Sequence, residues 1–423
     1  MSKLKERERT AIINSLRSGV VPRIGLHHIQ VGRNDEVSEI IKDIEKLSKQ
    51  SSSIRLIIGD YGSGKSFFLN LSNTIAHTYN AITSIADISM EKTLYSRDGK
   101  ARALYTEIIK GLSTKSRPDG NALRTIIDSW ISKTIGIEED VPKEKIYKEL
   151  AHLRELVSGY DFSDIICQYY DGYINDDEIL CENCLRWLRG EYATKTDAKK
   201  DLPVTGIVDD RNYYDYLKII AEFVRMAGYS GLVICIDELA VLTRLQSNVR
   251  AKNYETILKM LNDILQGNVN GISLVLSGTP EFLKDKRKGL YSYGALESRL
   301  SSNSFSRGEF KDLSGPVIEL DNLSQEELFL VFGNIRNVFA YHDTAKHLID
   351  DKGIVIFMEK LFSRMGAASY LSPREAIKDF VHVLNLAESH PDKGWEFFLT
   401  EANSDALEQT TQAGTNDLNS FKL

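Results

Sequence analysis

"RLIIGDYGSGKSFFLN", residues 55–70, decides the fold. Apolar residues run up to Gly59, and behind Lys65 apolar residues return at helical spacing, so the stretch reads strand, loop, helix. Between the two, Gly59-Asp60-Tyr61-Gly62-Ser63-Gly64-Lys65-Ser66 satisfies G-x-x-x-x-G-K-[ST] at every position. Glycines let the backbone wrap so that successive N–H groups point inward, and the helix behind adds its positive end. Lys65 then neutralises β- and γ-phosphates while the Ser66 hydroxyl serves as a magnesium ligand. The expected phosphate contacts are Gly59, Tyr61, Gly62, Ser63, Gly64, Lys65, Ser66 and, just behind them, Phe67. A chance match in a surface turn would require neither the strand before it nor the helix after it.

A second stretch, "GLVICIDELA" (231–240), supplies the acidic part. Its apolar run reads as a buried strand, and Asp237 at the carboxyl end suits a magnesium ion held through water. Glu238, one residue on, suits the orientation or deprotonation of an attacking water. Standing alone, the pair would read as a solvated acidic strand end; the glycine loop upstream favours the catalytic reading. The strand "ISLVL" (272–276) ends in Ser277-Gly278-Thr279-Pro280, where a hydroxyl can fix water or sense the γ-phosphate, and Thr279 is preferred over Ser277. Arg299, in "YGALESRLSS", is the candidate to reach a neighbouring subunit's nucleotide, and Arg374, near a helix start, the candidate to close over it.

Further buried-strand runs lie at 81–88 and 317–320, with helical patterns between, so the chain reads as α/β with a parallel sheet covered on both faces. Lys65 and Asp237 are much further apart than one helix and a strand or two consume. A helical insertion is therefore expected at 113–205, separating a first half of the core with its preceding segment (1–112) from a second half (206–322). Helices follow at 323–403. Ser324 with Glu327 has capping-box spacing, and Ser372-Pro373 with Glu375 reads as N-cap, first and third helical positions. The polar tail 404–423 reads as a flexible end.

An apolar content of 42% in 423 residues supports one large core or two ordinary ones. A formal net charge of −7 excludes a uniformly basic coat, so contact with DNA would need a local patch such as Lys284, Lys286, Arg287 and Lys288. The start is charged and no run approaches a membrane span, so a cytoplasmic protein without membrane contact is expected. Four cysteines are too few for a disulfide framework, and Cys181 with Cys184 reads as inward packing on a helix rather than half a zinc site.

With these motifs assembled, the chain resembles an AAA+ ATPase of the initiator-like branch: glycine loop, "IDE", polar strand end, "ESR" and "SPRE" fall in that family's order. More narrowly, "SLRSGVVPRIGL", "VGRNDE", "GDYGSGKSFFL", "CIDELAVL", "SGTPEF" and "LSPREAIKDF" are similar to ATP-binding proteins of BREX-type phage defence, the BrxD-like family. The resemblance implies a P-loop NTPase with a five-stranded parallel sheet in the order 5-1-4-3-2, and a C-terminal helical lid. It also implies an adenine pocket bordered by Val31, Gly32 and Arg33. Implied cofactors are ATP and Mg2+; implied partners are further copies of the chain, other defence proteins and DNA. Initiators commonly carry asparagine at the polar strand end, where this chain has serine and threonine. A nucleotide-dependent switch or scaffold, as in transposition regulators, is the competing class. A GTPase or nucleotide kinase ranks below both, because adjacent carboxylates suit water attack and no N-K-x-D tetrapeptide follows the site.

Overall fold

The computed structural model describes residues 4–136, 143–301, 313–365 and 372–399. In chain order, α1 (Glu6–Arg17) and α2 (Asn34–Ser48) precede β1 (Ser53–Ile58), α3 (Lys65–Thr78) and β2 (Ile82–Asp87). Helices α4 (Lys100–Lys110), α5 (Leu123–Ile135), α6 (Lys143–Glu149), α7 (Ala151–Arg154) and α8 (Gly159–Ile174) follow. Then come α9 (Glu178–Leu188), α10 (Lys195–Asp201) and α11 (Tyr213–Met226). After β3 (Leu232–Asp237), the chain forms α12 (Ser247–Leu265), β4 (Ile272–Gly278), α13 (Pro280–Lys284), α14 (Gly294–Leu300) and β5 (Val317–Glu319). The last helices are α15 (Gln325–Phe339), α16 (Asp351–Met365) and α17 (Pro373–Ser389). The tail 404–423 lies outside the described residues.

All strand pairs are parallel, in the order β2-β3-β4-β1-β5, which is the implied 5-1-4-3-2 order read from the other edge. Every residue of β1, β3 and β4 is buried, as expected for strands covered on both faces and rich in Ile, Leu and Val. The five strand runs read from the sequence coincide with these strands to within two residues at any end.

Among the described residues the chain forms two compact units. The larger comprises the described residues of 34–60 and 71–320; the smaller comprises those of 1–33, 61–70 and 321–423. In the larger unit, helices α5 to α10 share one continuous apolar core with the sheet. The link is α11, whose Phe223 ring meets Trp130 at 5.3 Å and Phe162 at 5.5 Å, while Tyr216 meets Trp187 edge-on at 5.4 Å. Cys181 and Cys184 are buried within that core.

One buried charge cluster holds β1. Arg55 and Asp43 of α2 are 4% and 2% exposed and form an ion pair, with Lys46 on the other Asp43 oxygen at 2.9 Å and Glu39 3.4 Å from Arg55. Arg55 also donates to the carbonyl oxygens of Leu313, at 2.7 Å, and Gly315, ahead of β5.

In the smaller unit the rings of Phe332, Phe357 and Phe380 meet at 4.7–5.3 Å and bring α15, α16 and α17 together. Arg9 of α1 stacks on Phe339 and Tyr341, with its Nε donating to the Phe339 carbonyl at 2.8 Å. Both helix starts follow the sequence signals: Ser324 and Glu327 form the reciprocal capping box, and Ser372 accepts the Glu375 N–H. No helix among the described residues is long and apolar enough to cross a membrane.

Candidate functional site

Parallel pairing brings the carboxyl ends of the strands to one edge of the sheet, where ligands of open α/β sheets bind. Gly59, next after β1, donates its N–H to the Gly278 carbonyl at 3.2 Å, so β1 and β4 remain paired up to the start of the glycine loop.

Asp237 closes β3 and is 7% exposed. The Ser277 hydroxyl at the end of β4 donates to its Oδ1, and that same oxygen accepts the Glu238 N–H at 2.8 Å. Glu238 adopts φ 61°, ψ 30°, a left-handed conformation costing a non-glycine residue about 1–3 kcal/mol. The kink ends the alternation of the strand, which would send successive side chains to opposite faces. The turn is held from below by buried Leu239 and Leu242. A strained acidic residue following a carboxylate that is itself fixed by a neighbouring strand is an arrangement suited to positioning water.

Thr279 makes a different contact. Its hydroxyl accepts the Phe282 N–H at 3.3 Å and caps α13, whereas Ser277 is the strand-end hydroxyl on Asp237. Asp87, which the sequence reading did not single out, is the register partner of Asp237 in β2. Burial first, then the Asp237 and Glu107 carboxylates, push the Asp87 carboxyl above its usual range. The implied strand order held the signal, because it sets the end of β2 beside the end of β3. Arg299 lies exposed on α14, with Nε donating to Asn262 at 2.9 Å and Nη1 to the Ala295 carbonyl at 2.8 Å.

In the smaller unit, Gly62 and Gly64 take φ 86° and 89°, values that L side chains rarely adopt. A Cβ on Gly62 would also lie 2.9 Å from that of Ser372, the N-cap of α17. The Lys65 ammonium is 5.5 Å from the centre of the exposed Tyr61 ring. Ser63 is 1% exposed, and its hydroxyl has no hydrogen-bond partner among the described residues. Arg33 reaches the loop: its Nη2 donates to the Ser63 carbonyl at 2.6 Å and to the Asp321 carbonyl at 2.9 Å. Gly32 and Arg33 are consecutive left-handed residues, φ 64° and 59°, a sharp turn that aims Arg33 at the loop. Val31 and Phe67 are half-buried, their side chains packed against the apolar core of this unit. Arg374 is exposed at the start of α17, and Gly19 leaves room for it: a Cβ there would come within 3.3 Å of the guanidinium Nε. The positive-φ glycines and the orphaned Ser63 hydroxyl fit a bound phosphate chain.

A family model described as BREX system ATP-binding protein BrxC/D matches residues 4–403. The match covers nearly the whole chain, and the chain belongs to that family. No curated protein matches it.

Proposed function

We propose that this member of the BREX ATP-binding family is a magnesium-dependent ATPase that assembles with further copies of itself on DNA, within a multi-protein defence complex against phage. The observation that carries the hydrolytic part is the Ser277–Asp237–Glu238 arrangement at the carboxyl ends of β3 and β4. Lys65 and the loop N–H groups would hold the β- and γ-phosphates, and Ser66 and Asp237 would hold the magnesium, whose charge would offset that of the phosphates. Glu238 orients a water and accepts its proton as the water oxygen bonds to the γ-phosphorus and the bond to the β-phosphate oxygen breaks, releasing ADP. Val31, Gly32 and Arg33 border the base, Arg374 closes over the phosphates, and α15 to α17 act as the lid. Calorimetry with ATP and magnesium, together with phosphate release, tests this reading; no heat of binding at millimolar nucleotide would end it.

The strand-end hydroxyls separate by experiment. Ser277→Ala is expected to lower turnover about tenfold and raise the magnesium concentration needed for half-maximal rate, because Asp237 loses its positioning bond. Thr279→Ala is expected to cost about 1 kcal/mol in stability through the lost helix cap, with turnover within about twofold of wild type. Magnesium titration of turnover and thermal melting read the two effects, and the reverse pattern would restore Thr279 as the water-side hydroxyl.

A second reading, a nucleotide-dependent switch in which turnover is incidental, is favoured by Arg299, whose guanidinium is engaged within its own unit. Arg299→Ala decides between them. Loss of both ATP-dependent assembly and turnover, read by light scattering and phosphate release, supports the assembling ATPase; unchanged values support the switch.

A further inference from the structure

The larger unit contains a cleft of about 1190 Å3 lined by the segment around Tyr95–Gly99, the turn ahead of α11 and the side of α12. We infer that this cleft binds the sugar-phosphate backbone of a single nucleic-acid strand. The choice of polymer rests on the proposal that the protein works on DNA; the site itself rests on the charges that line it.

Five cations line the cleft: Arg97, Arg102, Lys195, Arg211 and Lys259, of which all but Arg102 are exposed. Among the described residues none of the five has a carboxylate within ion-pair distance. Arg97 donates to the Tyr95 hydroxyl at 3.1 Å, Arg102 to the Gly190 carbonyl at 2.8 Å, and Lys259 lies over the Tyr214 ring. The three acidic residues of the cleft are engaged by backbone. Asp210 accepts the N–H groups of Gly99 and Arg102, Asp209 those of Arg211 and Asn212, and Asp98 that of Arg97. The fixed anions therefore hold turns, while the cations remain to meet a ligand, in a chain whose net charge is −7. The basic run expected to touch DNA is occupied in comparison: Lys284 pairs with Glu319 at 2.8 Å, and Lys286 pairs with Glu297.

Size and shape select the ligand. Small-molecule pockets span about 300–1,000 Å3, so this cleft has room for a segment of polymer. Duplex DNA is read by convex protein elements entering its grooves, whereas a flexible strand lies in a charged groove beside aromatic rings. Half-buried Tyr95, on the wall, offers such a ring.

The test uses the full chain, without ATP, and a fluorescent oligothymidylate titrated at several salt concentrations. Lys195→Glu, Arg211→Glu and Lys259→Glu combined are expected to weaken binding at least about tenfold and to lower the salt slope by about 2. ATP turnover should stay unchanged, since none of these three side chains is bonded to Ser277, Asp237 or Glu238. A variant with Lys284, Lys286, Arg287 and Lys288 changed to glutamine should bind almost as wild type. If wild type binds the strand and the cleft variant binds equally, the cleft assignment falls while the DNA reading stands. If wild type does not bind at low salt, both fall, and phosphate release then judges the ATPase reading alone. Equal displacement by polyglutamate at matched charge would overturn the choice of nucleic acid.

Discussion

Glu238→Gln is expected to lower kcat for ATP hydrolysis by about 10²–10⁴-fold, with ATP affinity little changed. The amide keeps the size and the left-handed turn at φ 61° but cannot take a proton from water. Because the loss lies in the transition state, kcat and kcat/KM should fall together. Glu238→Gly sharpens the test. Glycine adopts a left-handed conformation without strain, so this variant should melt higher, by about 1 kcal/mol or more of added stability, and yet hydrolyse no faster than the glutamine variant. A more stable, inactive protein is the signature of strain held for function. Phosphate release at saturating ATP and magnesium, with thermal melting alongside, reads both; turnover within about threefold of wild type in the glutamine variant would remove Glu238 from the reaction.

Asp43→Ala should cost about 3–5 kcal/mol, a large part of the 5–15 kcal/mol that holds a typical domain folded. The reason is burial. Arg55 is 4% exposed, and without Asp43 its guanidinium keeps only Glu39 at 3.4 Å and two carbonyl oxygens against its charge. The double replacement Asp43→Leu with Arg55→Met removes both charges and should recover much of the loss, since apolar side chains avoid the desolvation penalty that the pair carries. Urea unfolding of both variants is the measurement, and a single-variant loss below about 1 kcal/mol would show that water reaches the pair. Since β1 carries the glycine loop at its end, surviving Asp43→Ala protein should also bind ATP more weakly.

Much of the fold was legible because its signals are local. Buried parallel strands are written as short apolar runs, and helix starts as Ser324 with Glu327 or Ser372 with Pro373 and Glu375; each can be read from a few neighbouring residues. The glycine loop belongs to the same class, since positive φ at Gly62 and Gly64 is a property of those residues. The choice between Ser277 and Thr279 was not legible. Two residues apart at the end of one strand, both offer a hydroxyl, and only the position of β3 beside β4 and the start of α13 assign one to Asp237 and the other to a helix cap.

The sequence by itself determined the class of ligand and the strands, because phosphate binding and strand burial are short-range demands on residue type and spacing. Only the tertiary structure decided that Ser277 bonds Asp237, that Arg55 is buried on Asp43, and that cations drawn from residues 97–259 line one cleft. Those are meetings of side chains distant in the chain, and their free energies depend on dielectric surroundings and separation, quantities that exist only once the chain has packed.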